Sequence, residues 1–227
     1  MALTIKICGL KTPETLEVSL ESGADMVGFV FFGPSPRNIS PKAVESLAGQ
    51  VRGRAQKVAL TVNATDDLLH AIVDALKPDL LQLHGTETVE RVAVVRSRFG
   101  LPVMKALPIA TRADLSPIRL YANVADRLIF DARAPADATR PGGLGTPFDW
   151  TLLQGVKPGV PFMLSGGLDA ANVVEAIRIT SAPGVDVSSG VERIPGEKDP
   201  DKIRAFIRTA RQIDTLQLGE SQIASGA

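Results

Sequence analysis

Two residues that can transfer protons, Cys8 and Asp131, each close a short apolar run of the sequence. Cys8 ends the run that begins at Leu3, and Asp131 ends the run that begins at Arg127. A thiolate can act as a general base and a carboxylic acid as a proton donor, but an ordinary thiol has a pKa of about 8.5 and needs a positive neighbour to ionise. The alternative interpretation is that Cys8 is a small buried hydrophobe and Asp131 a cap of the next segment.

Arg37 and His84 are candidate binding residues. Arg37 follows two prolines that stiffen the segment Phe32–Ser40, and a guanidinium held there could bind a carboxylate through two parallel hydrogen bonds, although a solvent-exposed arginine is the commoner case. His84 ends the run Leu80–His84, whereas His70 falls within a predicted helix and is expected at the surface. No cluster of carboxylates or cysteines accompanies these histidines, so the sequence predicts no metal site.

Lys6 lies two residues before Cys8, so the two side chains share one face of a strand. A buried lysine needs a partner, and Asp186 on the last predicted strand is the expected one. The alternative is a lysine that forms a Schiff base with a carbonyl substrate. Lys105 on the fifth predicted strand is the other candidate for that chemistry.

Small residues follow the seventh and eighth apolar runs. Gly166 and Gly167 follow the seventh, and Ser188, Ser189 and Gly190 follow the eighth. Such residues let backbone N–H groups approach an anion closely, and a short helix after the eighth run would add its positive end. Together these two segments predict a phosphate site.

Apolar runs alternate with amphipathic segments along the whole chain. The predicted strands are Leu3–Cys8, Met26–Phe32, Lys57–Val62, Leu80–His84, Val103–Leu107, Arg127–Asp131, Val160–Ser165 and Val185–Ser188. The predicted helices begin at Thr12 and Ser40 or span Thr65–Leu76, Glu87–Phe99, Ala110–Asn123, Phe148–Leu153, Ala170–Ile179 and Pro200–Ile213. Eight strands with their crossovers indicate an α/β fold, a single (β/α)8 TIM barrel of parallel strands, in which chemistry takes place at the C-terminal strand ends.

Composition narrows the class of protein further. The chain has 25 basic and 25 acidic residues, so no excess of positive charge favours a nucleic acid or a membrane surface as partner. A single cysteine, with no signal peptide and no apolar stretch of membrane-spanning length, predicts a cytoplasmic protein. We expect one catalytic domain over residues 1–213, an irregular loop at Ala134–Pro147 and a polar, frayed tail over residues 214–227.

Seven segments, in this order, resemble the phosphoribosylanthranilate isomerase family of tryptophan biosynthesis. They are Lys6–Leu10, Phe31–Arg37, Leu81–Gly85, Phe130–Asp131, Gly142–Gly145 with Phe148–Trp150, Ser165–Leu168 and Asp186–Glu192. The resemblance covers the chain apart from its tail.

The resemblance implies an Amadori rearrangement of N-(5-phosphoribosyl)anthranilate, a phosphorylated small molecule, without a cofactor. It implies that Asp131 is the general acid, that Cys8 is the general base and that Arg37 holds the anthranilate carboxylate. The phosphate would be bound at Gly167, Ser188, Ser189 and Gly190. His84 and Asp186 would be contacts near the sugar, and the protein would be a monomer or a homodimer.

Two positions depart from the family pattern, and other functions remain open at this point. Thr146, followed by Pro147, stands where many relatives have a basic residue, and Ser165 replaces a commoner alanine. The alternatives are a pentose-phosphate epimerase, a lysine-dependent aldolase, indole-glycerol-phosphate synthase, a barrel that serves histidine and tryptophan synthesis, and a phosphosugar-binding protein without activity. The last of these is disfavoured because Cys8 and Asp131 are both present.

Overall fold

The computed structural model describes residues 2–224, with side chains described as far as residue 213. Eight parallel strands form a closed barrel in chain order, with β1 paired to both β2 and β8. The strands are β1 (Thr4–Cys8), β2 (Met26–Phe31), β3 (Gln56–Thr61), β4 (Leu80–Leu83), β5 (Val103–Ile109), β6 (Arg127–Ala132), β7 (Phe162–Leu164) and β8 (Gly184–Val187). The predicted fold is confirmed.

The strands are apolar because both of their faces are buried. Alternate residues point into the barrel or out towards the helices, so Ile5 and Ile7 pack in the outer core while Lys6 and Cys8 belong to the interior. One inner layer is made of Met26, Val58, Leu80, Met104, Ala106, Ile129 and Met163. This layer fills the middle of the barrel, as side chains do in such folds.

Seven helices cover the barrel within the described residues. They are α1 (Pro13–Glu21), α2 (Pro41–Val51), α3 (Asp66–Leu76), α4 (Val89–Phe99), α5 (Ile118–Ala122), α6 (Val173–Thr180) and α7 (Pro200–Ala224). The first four begin after Thr12, Ser40, Thr65 and Thr88, whose hydroxyl oxygens accept hydrogen bonds from backbone N–H groups of the first turn. No helix in residues 2–224 combines the length and the apolar character that crossing a bilayer requires.

Two crossovers differ from the predicted helices. The segment Ala110–Asn123 divides into a 3-10 turn at Arg112–Leu115 and the short helix α5, because Pro117 has no N–H with which to continue a helix. Between β6 and β7 the only helical element is a 3-10 turn at Trp150–Leu153. The remainder of that crossover is the predicted irregular loop.

A small hairpin follows the barrel and lies outside the predicted elements. After β8 the chain makes a 3-10 turn at Ser189–Val191 and then forms β9 (Glu192–Ile194) and β10 (Glu197–Lys198), which pair in antiparallel fashion. The predicted tail begins beyond the last residue whose side chain is described, and the backbone of α7 is helical up to Ala224. The predicted domain boundary at residue 213 therefore stays a prediction.

Candidate active site

A cavity opens at the C-terminal ends of the strands and has a volume of about 620 Å³ with its mouth included. The predicted site residues that line it are Cys8, Arg37, His84, Asp131, Gly166, Gly167, Asp186, Ser188 and Ser189. These residues come from six loops or strand ends, which the closed barrel brings to one place. Gly190 does not line the cavity: a Cβ added to it would collide with the carbonyl of Leu168, so it packs against the loop after β7.

Cys8 lies at the base of the cavity and is 3% exposed. Gly28 on β2 is its register partner, and a Cβ at Gly28 would lie 2.9 Å from the Cys8 sulfur and 3.1 Å from Cε of Lys6. A glycine is therefore needed on β2 to leave space for these two side chains. Burial raises the pKa of the Cys8 thiol above its ordinary range, although Lys6 and Lys198 lower it in part.

Lys6 forms the expected ion pair with Asp186, with Nζ 2.8 Å from Oδ1. The other oxygen of Asp186 accepts a hydrogen bond from the Ser165 hydroxyl at 3.3 Å. Burial alone would lower the pKa of Lys6, but the charges and hydrogen bonds of Asp186 and Cys8 together outweigh burial, and the pKa is raised. An ammonium that is fully buried and paired is unsuited to forming a Schiff base, which needs a neutral amine.

Lys105, the other candidate for Schiff-base chemistry, does not line the cavity. Its ammonium donates to the Gly85 carbonyl at 2.7 Å and to Oε2 of Glu87 at 2.8 Å, and it lies over the Tyr121 ring. Burial lowers the pKa of Lys105, and Glu87 opposes that effect. With both lysines bound elsewhere, the geometry does not support an aldolase.

Asp131 lies at the end of β6 and is 4% exposed. Its Oδ2 is 3.0 Å from Nε2 of His84, and its Oδ1 accepts a hydrogen bond from the Ala132 N–H at 2.9 Å. On the other side of the imidazole, the side-chain nitrogen of Gln82 is 3.0 Å from Nδ1. With the Gln82 nitrogen placed towards the ring and able only to donate, Nδ1 is assigned as the acceptor, and the proton of a neutral ring is then on Nε2, directed at Asp131. In this placement the buried Oε1 of Gln82 has no hydrogen-bond partner among the described residues.

Arg37 is buried at the cavity wall, but its guanidinium already has a carboxylate partner. Nε and Nη2 each donate to one oxygen of Glu192 at 2.8 Å, and Nη2 also donates to the Gly143 carbonyl at 3.1 Å. Burial alone would raise the pKa of Glu192, but hydrogen bonds and charges of Arg37 and Lys198 hold it below its ordinary value.

Lys198, on β10, connects Glu192 to the loop after β8. Its ammonium lies 2.8 Å from Oε1 of Glu192, 2.8 Å from the Ser188 carbonyl oxygen and 3.1 Å from the Ser188 hydroxyl. That hydroxyl donates in turn to the carbonyl of Cys8 at 3.0 Å. Burial lowers the pKa of Lys198 to about 8 despite the nearby Glu192. These contacts connect Arg37, through Glu192 and Lys198, to the loop after β8 and to the end of β1.

The loops after β7 and β8 form a concave surface of backbone groups. Gly166 and Gly167 have φ values of 86° and 69°, a region that favours glycine. Ser188 and Ser189 face them across the cavity, and Ser189 begins the 3-10 turn. Successive backbone N–H groups in such turns are suited to a phosphate.

The glycine-rich loop after β6 crosses the cavity mouth. A Cβ at Gly142 would collide with Asp131, one at Gly143 would contact Arg37, and one at Gly167 would collide with Pro147. The close approach of this loop explains why glycines occur at these points. Thr146 and Pro147 lie where the loop meets the chain after β7, and Arg140, earlier in the loop, lines the cavity.

Several residues of the site were missed by the sequence-based predictions: Gln82, Glu192 and Lys198. Gln82 lies two residues before His84, so strand alternation could have placed both side chains on the interior face. Glu192 and Lys198 carried no comparable signal, because their contacts depend on the small hairpin. Among the described residues, no group of three or more His, Cys, Asp or Glu side chains is arranged to hold a metal ion.

Comparison with known proteins gives one consistent family. Residues 5–209 match the family model described as N-(5'phosphoribosyl)anthranilate (PRA) isomerase. A protein of that name from Bradyrhizobium sp. (strain ORS 278) is 61% identical over 218 residues, which cover 96% of this chain and 100% of the relative.

Solved structures give the same result. Phosphoribosyl anthranilate isomerase from Thermotoga maritima is 34% identical with a TM-score of 0.84, covering 92% of this chain and 99% of that one. A structure of the enzyme in complex with reduced 1-(o-carboxyphenylamino)-1-deoxyribulose 5-phosphate is 32% identical with a TM-score of 0.81 at the same coverage.

Proposed function

Because the chain belongs to the N-(5'-phosphoribosyl)anthranilate isomerase family, it is an isomerase of tryptophan biosynthesis, and we propose that it rearranges its substrate by general acid–base catalysis at Cys8 and Asp131. The substrate is N-(5-phosphoribosyl)anthranilate and the product is 1-(2-carboxyphenylamino)-1-deoxyribulose 5-phosphate. The observation that carries the proposal is that Cys8 and Asp131 face one cavity from the ends of β1 and β6.

Asp131 is the general acid in this mechanism. Its carboxyl protonates the ring oxygen of the ribose, the bond between that oxygen and C1' breaks, and the anthranilate nitrogen supplies the electron pair that forms a Schiff base. The resulting carboxylate is stabilised by the hydrogen bond from Nε2–H of His84. A donor fixed in this position favours the charge that develops on Asp131 as its proton leaves.

Cys8 is the general base. Its thiolate removes the proton from C2', and the electrons move into the C1'–C2' bond to give an enolamine, which tautomerises to the ketone. The raised pKa makes the thiolate scarcer at neutral pH but a stronger base once it forms. Lys6 and Lys198 supply the positive charge that opposes this rise.

The two anionic ends of the substrate are held apart by the geometry of the barrel. We assign the phosphate to the surface formed by Gly166, Gly167, Ser188 and Ser189, and the anthranilate end to the side of Arg37. Gly190 contributes by allowing the two loops to pack closely, and Asp186 through its pairing with Lys6. Binding at both ends fixes the ribose between acid and base.

The rearrangement needs no cofactor by its own chemistry. Protons move at two atoms while hydrogen count and oxidation state of the whole molecule are unchanged, so an acid and a base suffice. We further propose a cytoplasmic location and a monomer or homodimer; light scattering of the purified protein decides the second point.

The decisive experiment follows the fluorescence of freshly prepared phosphoribosylanthranilate in the presence of purified protein. We expect consumption of the substrate by the wild-type chain and a loss of at least about 100-fold in turnover for Cys8→Ser. Consumption at equal rates by both proteins would remove Cys8 from the mechanism, and none by either would refute the proposed function.

A further inference from the structure

Two arginine side chains meet at the mouth of the cavity, and only one of them has a carboxylate partner. Nη2 of Arg37 and Nη2 of Arg140 both donate to the carbonyl oxygen of Gly143, at 3.1 and 3.5 Å. The charge of Arg37 is balanced by Glu192. Arg140 has no ion pair with any carboxylate among the residues whose side chains are described.

The guanidinium of Arg140 is also poorly satisfied as a hydrogen-bond donor. Its Nε is buried without a hydrogen-bond partner, and among the residues with described side chains the guanidinium makes one hydrogen bond, a long one from Nη2 to the Gly143 carbonyl. A buried donor without an acceptor costs free energy, and the cost is larger for a charged group. Since Arg140 lines the cavity, a bound anion is the acceptor that would remove this cost.

We propose that Arg140 is a specificity-determining residue that binds the aryl carboxylate of the substrate together with Arg37. This inference rests on the proposed function and assigns a further residue to it. Arg37 cannot form the two-pronged pair predicted from its sequence position, because Nε and Nη2 are occupied by Glu192 and Gly143. Its Nη1 can serve one carboxylate oxygen, and Arg140 can serve the other.

Position along the glycine-rich loop favours the carboxylate over the phosphate as the ligand group. Arg140 bonds at Gly143, where an added Cβ would collide with Arg37, whereas two residues further along a Cβ at Gly145 would lie 3.6 Å from the Ser189 hydroxyl of the phosphate surface. The cavity that Arg37 and Arg140 line also has an apolar wall, which suits an aromatic ring. The side chains of this apolar wall are Val30, Phe32, Leu60 and Val62, which cluster with Cys8.

The test compares two ligands that differ only in the carboxylate. These are reduced 1-(o-carboxyphenylamino)-1-deoxyribulose 5-phosphate and the corresponding phenylamino compound, each titrated calorimetrically into wild-type protein, Arg140→Ala and Arg140→Lys. We expect Arg140→Ala to raise the Kd of the carboxylated ligand about 10-fold and that of the other less than about 2-fold, and Arg140→Lys to recover part of the loss. Arg133→Ala is the matched control, because Arg133 lies on the same crossover but pairs with Asp114 and is not part of the cavity wall.

Equal losses for both ligands, or no loss for either, would overturn the role of Arg140. The proposed function is judged separately, by turnover of phosphoribosylanthranilate in the wild-type protein. A chain that binds the carboxylated ligand in an Arg140-dependent way but never turns over the substrate would support the carboxylate site and refute the isomerase mechanism.

Discussion

Glu192 binds the guanidinium of Arg37 with both of its carboxylate oxygens, each at 2.8 Å, across 155 positions of sequence. The same carboxylate accepts from Lys198, so one buried negative charge serves two buried cations. This arrangement fixes the orientation of Arg37 before any substrate arrives, and it gives the hairpin after β8 a role in the site.

Neutralising Glu192 should destabilise the fold. We expect Glu192→Gln to lower the free energy of unfolding by about 3 kcal/mol, since it leaves Arg37 and Lys198 buried without a counter-charge. Urea denaturation at pH 7 measures the change. Glu197→Gln, which affects an exposed ion pair with Arg193 on the same hairpin, should change the value by less than about 0.5 kcal/mol.

The difference in free energy of unfolding between wild type and Glu192→Gln should depend on pH in a defined direction. The folded pKa of Glu192 is lowered, so between the folded and unfolded values the native state binds fewer protons and stability rises with pH. The advantage of wild type over Glu192→Gln should be complete above the unfolded pKa of about 4.3 and disappear as pH falls through the folded pKa. An advantage that is independent of pH in the acidic range would contradict the ion-pair account.

Alkylation of Cys8 should be slow at neutral pH and should accelerate well into the alkaline range. Burial raises the pKa of this thiol, and only the thiolate reacts. The rate of labelling by iodoacetamide, followed by mass spectrometry from pH 6 to 10, should keep rising beyond the ordinary thiol pKa of about 8.5. Cys8→Ser removes the one cysteine and is the blank. A plateau at lower pH would show that the neighbouring lysines dominate.

Replacing the proposed acid should affect turnover far more than binding. Asp131→Asn keeps the shape of the side chain but has no proton of suitable acidity to transfer, so we expect kcat to fall by at least about 100-fold. The Kd of a phosphorylated product analogue should stay within about 3-fold of the wild-type value. Asp137→Asn, an exposed position on the same loop, is the control. Full activity of Asp131→Asn would assign the acid to another group.

Gln82 and Asp131, on opposite sides of the imidazole, should together set the tautomer of His84. Nitrogen-15 NMR of histidine-labelled protein should show His84 with its proton on Nε2, because Gln82 donates to Nδ1. In Gln82→Leu we expect the Nε2–H tautomer to persist, because Oδ2 of Asp131 still accepts from it, and only the Nδ1 resonance to shift, while His70 on α3 serves as the internal reference. A signal for protonated Nδ1 in the wild-type protein would mean that the amide of Gln82 is turned around.

The barrel and the residues at its strand ends could be predicted from sequence because each depends on short-range pattern. The Lys6–Asp186 pair is a good example. Strand alternation puts the side chain of Lys6 inside the barrel, and closure of the barrel makes β8 the neighbour of β1. The pairing of Lys6 with Asp186 on β8 therefore follows from the topology.

Contacts that depend on loop packing could not be obtained in this way. The ion pair between Arg37 and Glu192 was not predicted. The position of Glu192 is set by the hairpin β9–β10, which no periodic pattern in the sequence indicates. The predicted helix over Ala110–Asn123 was wrong as one continuous helix, because Pro117 has no N–H with which to continue the hydrogen-bond pattern.

The floor of the reaction cavity has a consequence for the order of events in catalysis. Beneath Cys8 the barrel is plugged by the Lys6–Asp186 pair and by packed side chains such as Met104 and Met163, so the chamber is a dead end within the described part of the chain. A ligand that enters through the mouth of this cavity must leave through the same opening. Bound product therefore excludes substrate until it dissociates, so we expect the product to be a competitive inhibitor.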